Sequence, residues 1–230
     1  MAAAGAGEQV SRLFDAIAGG QLDEVSALLI TVRADPNSMA GDEAALHRAI
    51  GAGTADILKV LLDAEADPNV ADRKGKSPLR RAYDNENVSA MLLAARADPD
   101  AKDQSGSTAL HKAAELGSVE VARLLLDARA NPDSRNEEQA TPLHDACAFG
   151  MDPVVECLLA ARADLRAADD GGHTPLHHAG CGGHAAVCRL LLEAKADHTA
   201  TSTEGRTALQ CAEEEKQAEA AHVLRSAQTA

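Results

Sequence analysis

The residues best equipped for chemistry are a ladder of histidines and a crowded stretch of imidazoles and thiols. His47, His111, His144 and His177 recur at one position of a repeating pattern, and His177, His178, Cys181, His184 and Cys188 lie close together in the chain. Cys181-x-x-His184 resembles half of a zinc site, because thiolate and imidazole are common zinc ligands. A thiol held beside an imidazole is also the arrangement of nucleophilic catalysis. A metal-dependent or thiol enzyme centred on Cys181 and His184 is therefore one reading. The repetition favours another. A catalytic histidine belongs to a unique constellation rather than a ladder, and a histidine recurring in the first turn of a helix is placed to bond a neighbouring Thr hydroxyl and the turn backbone. Cys188 falls on the register of Ala122, a core position, and Cys147 and Cys157 fall on helix-packing registers, where a thiol acts as a small apolar group. Cys181 and Cys211 occupy the more exposed registers, without a context that would activate either. Gly180, Gly182 and Gly183 follow no strand and so make no phosphate loop. The expectation is no catalytic residue, no metal and no cofactor.

The elements that position these side chains come from a period. Leu13, Leu46, Leu79, Leu110, Leu143, Leu176 and Leu209 follow one another at spacings of 33, 33, 31, 33, 33 and 33. In step run the doublets Leu28-Leu29, Leu61-Leu62, Leu92-Leu93, Leu125-Leu126, Leu158-Leu159 and Leu191-Leu192. A fixed period of this length means stacked supersecondary units, each touching only its neighbours. The stretch from Asp103 to Asp133 serves as the reference unit. A polar turn precedes Thr108, an N-cap whose hydroxyl accepts a free N–H of the first helical turn. Elsewhere the pair is Ser77-Pro78, Thr141-Pro142 or Thr174-Pro175, with proline at the position that loses no hydrogen bond. A helix over about 109–116 turns Leu110, Ala113 and Ala114 inward and ends at Gly117. A second helix over about 119–128 carries Val121, Ala122, Leu124 and Leu125, and Ala130-Asn131-Pro132 closes the unit.

This pattern resembles the ankyrin repeat. The likeness is carried by Thr141-Pro142-Leu143-His144, Thr174-Pro175-Leu176-His177 and Thr108-Ala109-Leu110-His111, by the leucine doublets, and by the closing segments Ala34–Asn37 and Ala66–Asn69. It covers about residues 9–227 and repeats six or seven times. It implies an all-α solenoid of helix-turn-helix units with β-turn fingers, an L-shaped stack with a concave groove, and protein binding as the usual role. The units are expected at about 8–37, 38–69, 70–100, 101–133, 134–166, 167–199 and 200–227, forming one domain over 8–227 between a flexible tail at 1–7 and a tail at 228–230.

Several units depart from the pattern. The first lacks an opening turn and reads as a cap, as does the last, which ends in Val223-Leu224. The second has Ala44-Ala45 where Thr-Pro is usual, so it lacks an N-cap, a loss of roughly 1 kcal/mol. The third is two residues short, and its segment Tyr83–Asn87 has no glycine, so the turn between its helices must be rebuilt. After the second helix, where glycine is usual, stand Arg33, Glu65, Arg96, Arg129, Arg162 and Lys195. These positions are expected to be left-handed or locally remodelled.

Composition narrows the partners. Hydrophobic residues make up 45% of the chain, yet only Phe14, Tyr83 and Phe149 are aromatic, so the core is built from Leu, Ala and Val. A net charge of −14 repels phosphate backbones and anionic lipid, so neither nucleic acid nor a membrane is expected as partner. The five cysteines are odd in number and follow the repeat. No secretory signal and no bilayer-length apolar run is visible. An intracellular, cytoplasmic and monomeric protein is expected.

The expected partner is another protein, met at turn tips and outer residues of the first helices by a non-enzymatic scaffold, adaptor or regulator. Carried over from the resemblance, these positions are Arg73, Lys74 and Lys76; Gln104, Ser105, Ser107, Glu115 and Leu116; Glu137, Glu138, Ala148 and Phe149; Asp170, His173 and Cys181; and Glu204 and Arg206. Arg73, Lys74, Lys76, Arg80 and Arg81 form a basic cluster that can clamp an acidic or phosphorylated segment. Alternatively, it balances Asp42, Glu43 and Asp103 within the chain. Leu116 and Phe149 are apolar where solvent contact is expected. They are either hot spots for a partner or pack on each other or on a turn.

Overall fold

The computed structural model describes residues 2–228 of the chain. Fourteen helices in the described residues form seven hairpins. They are α1 (Ala2–Ala18) with α2 (Leu22–Ile30), α3 (Ala45–Gly51) with α4 (Ala55–Asp63), α5 (Pro78–Arg81) with α6 (Glu86–Ala94), and α7 (Ala109–Leu116) with α8 (Val119–Asp127). Then come α9 (Pro142–Ala148) with α10 (Asp152–Ala160), α11 (Pro175–Cys181) with α12 (Ala185–Glu193), and α13 (Ala208–Glu214) with α14 (Ala218–Ala227). The one two-stranded sheet in these residues is a finger, β1 (Met39–Ala40) antiparallel to β2 (Glu43–Ala44). The segment expected as a flexible tail is helical from Ala2, where α1 begins; Met1, Thr229 and Ala230 lie outside the described residues.

The structure is described as two compact units, one ending at Gln104 and the other beginning at Ser105. Within each, first helices pack on first helices and second on second: α1 on α3 and α2 on α4 in one, α7 on α9 on α11 on α13 and α8 on α10 on α12 on α14 in the other. Both are all-α solenoid structures. The leucine ladder is their core. Leu13, Leu79, Leu110 and Leu143 are 0% exposed, and only Leu209, in the last hairpin, rises to 9%. The first leucine of each doublet is buried, and from Leu62 onward the second is half-buried. Alanines at Ala49, Ala82, Ala113, Ala146, Ala179 and Ala212 are 0% exposed, and side chains this small permit the close helix approach that buries the leucines.

All six positions expected to be left-handed have positive φ, from 58° at Arg33 to 71° at Lys195. In five of them the helix ends in a Schellman motif. The leucine doublet supplies both acceptors: Ala130 N–H reaches Leu125 O and Arg129 N–H reaches Leu126 O, each at 2.9 Å, with the same pair repeated at Ala66, Ala97, Ala163 and Ala196. The following alanine is then tucked inward, 4% exposed at Ala130. A non-glycine residue in this conformation costs roughly 1–2 kcal/mol, which the two carbonyl bonds and the buried alanine outweigh.

The short third repeat is rebuilt around Asn85. Helix α5 has four residues; Asn85 N–H returns to Ala82 O at 3.0 Å, and the Asn85 side chain caps α6 by accepting from Val88 N–H at 3.0 Å. The buried Ser89 hydroxyl donates to the same Ala82 carbonyl at 2.9 Å, so the turn closes without glycine.

Arg129→Gly is expected to leave stability unchanged or raise it by up to about 1 kcal/mol, because relief of the left-handed penalty offsets the lost helix-end charge and the added freedom of the unfolded chain. Urea denaturation measures this, and a clear loss of stability contradicts the account.

Candidate functional site

The histidine ladder is structural in its geometry. His144 Nδ1 accepts from the Thr141 N–H at 3.0 Å and from the Thr141 hydroxyl at 2.9 Å, which puts the ring proton on Nε2. That proton is donated to the His173 carbonyl, 3.0 Å away and 29 residues on. His111 does the same between Thr108 and Ala140 O, and His177 between Thr174 and Arg206 O. Each ring thus completes the cap of its own helix and ties it to the finger of the next repeat. His47 keeps the second bond, to Lys76 O at 2.9 Å. With Ala44 in place of threonine, its Nδ1 is buried without a partner among the described residues. Burial lowers the pKa of His47 and of His177, and it lowers that of His144 to about 4, with the nearby His178 adding to the effect.

Cys181 and His184 each have other partners. Burial, together with the adjoining Cys211, pushes the Cys181 thiol up to about 12, away from the thiolate form that a nucleophile needs. Burial likewise raises Cys188 to about 12 and Cys147 well above its ordinary value. Cys211, expected on an exposed register, is 3% exposed. The His184 ring donates to the Ala148 carbonyl at 3.0 Å. It fills space that only glycine leaves free: a Cβ on Gly150 would stand 2.4 Å from its Nδ1, and one on Gly182 2.6 Å from its Cδ2. Among the described residues no group of three or more His, Cys, Asp and Glu side chains is disposed to hold a metal ion.

In the first unit the basic cluster meets the acids named as its internal counterparts. Arg73 Nε lies 2.7 Å from Asp42, Arg81 2.7 Å from Glu43, and Arg80 3.3 Å from Asp103. Arg80 stands at the ladder position of the histidines, and its pair with Asp103 is buried, with side chains 10% and 6% exposed. The inter-repeat tie that imidazole makes elsewhere is here an ion pair. Breaking one partner of such a pair strands the other. Lys74 and Lys76 are fixed by their backbone, both N–H groups bonding Asp72 Oδ1. Gln104 donates its side-chain amide to Arg73 O at 2.8 Å.

In the second unit the fingers form a ladder of backbone bonds: Glu137 N–H to Ser105 O at 2.9 Å, Asp170 N–H to Glu138 O and Thr203 N–H to Gly171 O, both at 3.0 Å. This fixes the fingertips and leaves the side chains of Ser105, Glu137, Glu138 and Asp170 exposed. Ser105 Oγ donates to Ser107 Oγ at 3.0 Å, and Glu115 receives Lys112 at 2.7 Å. Leu116 and Phe149 end neighbouring first helices at equivalent positions and are 44% and 52% exposed. They do not bury each other.

The sequence reading passed over Asp169. It accepts His178 Nε2–H at 2.8 Å and the His173 N–H at 2.8 Å, with His173 Nδ1 3.4 Å away. Burial alone would raise this carboxyl, but the bonds from His178 and His173 hold it below its ordinary value. The signal was available: Asp169 shares the turn-opening register of Asp72 and Asn136, both of which accept backbone N–H groups.

With this geometry in place, comparison with known families is unambiguous. The model of three consecutive ankyrin repeats matches residues 13–103, 82–169 and 145–229. The chain belongs to the ankyrin-repeat family, whose members are generally protein–protein interaction modules. No curated protein matches the chain. No helix in the described residues is long and apolar enough to cross a membrane.

Two predictions follow from the ladder. Ala44→Thr is expected to stabilise the chain by about 1 kcal/mol, by restoring the cap and giving His47 its missing partner; an unchanged urea midpoint refutes this. Stability is also expected to fall with pH below about 6.5, where an unfolded histidine takes up a proton that folded His144 resists until about 4. The unfolded state binds more protons in this window, so His144 alone accounts for a loss on the order of 3 kcal/mol by its lower end. A urea midpoint constant from pH 7 to pH 4.5 contradicts this.

Proposed function

We propose that this chain is a non-enzymatic protein-binding module that acts as a scaffold, adaptor or regulator. In the second unit the partner rests on the fingertips and first-helix ends, where Ser105, Ser107, Glu115, Leu116, Glu137, Glu138, Phe149, Asp170 and His173 stand. In the first, Arg73, Lys74, Lys76 and Gln104 offer a further polar surface. The observation that carries this reading is the exposure of Phe149, at 52%, in a chain with only two phenylalanines and one tyrosine. A scarce aromatic side chain held in solvent at a helix end, one repeat from an exposed leucine, belongs to the residue class enriched in interface cores relative to the rest of the surface. The bonded fingers support it as well, because a surface already ordered loses little freedom on binding. The protein is taken to work as an intracellular, cytoplasmic monomer that needs no cofactor.

A quantitative pull-down from native lysate tests this, comparing the chain with a Leu116→Asp/Phe149→Asp variant of equal folded stability. Partners depleted only with the variant are the expected result. An unchanged set of partners refutes recognition through this face.

A further inference from the structure

The charges on the finger face of the second unit are unequally matched. Its cations are engaged: Lys112 with Glu115, Arg206 with both Glu204 and Glu214, and Arg135 with the carbonyls of Gln139 and Ala168. Glu137, Glu138 and Asp170 are exposed, and among the described residues no ion pair neutralises their carboxylates. They stand on fingers that the backbone ladder fixes one repeat apart, so the unmatched negative charge recurs with the repeat. Leu116 and Phe149 recur with the same period, at equivalent ends of α7 and α9.

Two rows in step, one acidic and one apolar, specify an occupant. Packed helices lie about 8–10 Å apart, and an extended chain advances about 3.3 Å per residue, so one repeat spans about three residues of an extended segment. We propose that this face takes an extended, Lys/Arg-rich segment of a partner protein, whose apolar side chains, about three residues apart, seat on Leu116 and Phe149 while its cations meet Glu137, Glu138 and Asp170. The inference rests on the protein-binding reading above and adds the chemistry of the partner. Unpaired carboxylates attract a basic segment and repel an acidic one, which fixes partner choice and register. The apolar pair supplies the contact that charge alone, screened by salt, does not hold.

The test is selection of a random displayed peptide library on the intact chain, followed by fluorescence anisotropy of the enriched peptides. The titrations use the parent chain, a Glu137→Gln/Glu138→Gln/Asp170→Asn variant and a Leu116→Ser/Phe149→Ser variant. All five positions are exposed, and circular dichroism melting verifies that both variants fold. The expected peptides are rich in Lys and Arg, carry apolar residues about three apart, and bind each variant roughly tenfold more weakly or worse. Enriched peptides that are acidic or uncharged, or no enrichment at all, overturn the inference. Uncharged or acidic peptides whose binding is lost in the Leu116→Ser/Phe149→Ser variant overturn the basic partner while leaving the protein-binding reading intact. Binding indifferent to both variants overturns both.

Discussion

In a chain with no closed core, each repeat has to be fastened to the next, and one bond does much of that fastening. An imidazole accepts from the threonine that caps its own helix and donates to a carbonyl of the following finger, as His144 does between Thr141 and His173. The bond works only for a neutral ring of one tautomer, which is why burial matters to it: desolvation disfavours the charged form. The same ring fixes where the first helix begins and where the next finger lies. It therefore joins local capping to stacking, and the fingertips inherit their positions from it.

Where that residue is absent or mispartnered, the structure shows what it replaced. Arg80 pairs with Asp103 and makes the tie with charge. His47 keeps the forward bond but lacks the threonine, leaving one ring nitrogen orphaned. A lost cap and an unsatisfied polar atom are separate penalties of similar size. Both fall in the first unit, whereas three successive repeats of the second unit carry the full arrangement.

Much of the fold was legible because the signals repeat. Leucine spacing, threonine or serine caps and the residues at the end of each second helix recur in register, so each repeat corroborates the others. The left-handed arginines were readable for the same reason: a position that is glycine in the pattern keeps its backbone demand whatever side chain occupies it. What was not legible depends on contacts that do not repeat. Cys211 is covered where the last first helix is packed by α14 and by Cys181, and a register assignment cannot see a neighbour peculiar to one end. The asparagine turn of the third repeat arises where the period slips, between Leu79 and Leu92. The basic cluster was ambiguous in sequence because its counter-charges lie a repeat away, and distance along the chain hides an ion pair that the stack brings together. The Asp169–His178 pair combined a turn position with a histidine that stands outside the ladder.

The imidazole tie has a length as well as a place: 29 residues from ring to carbonyl. A bond of that reach is available as soon as one further finger has been synthesised, without waiting for a distant terminus. Proteins are made from the N-terminus, so each ring emerges before the carbonyl it binds, and its second bond becomes available only when its successor arrives.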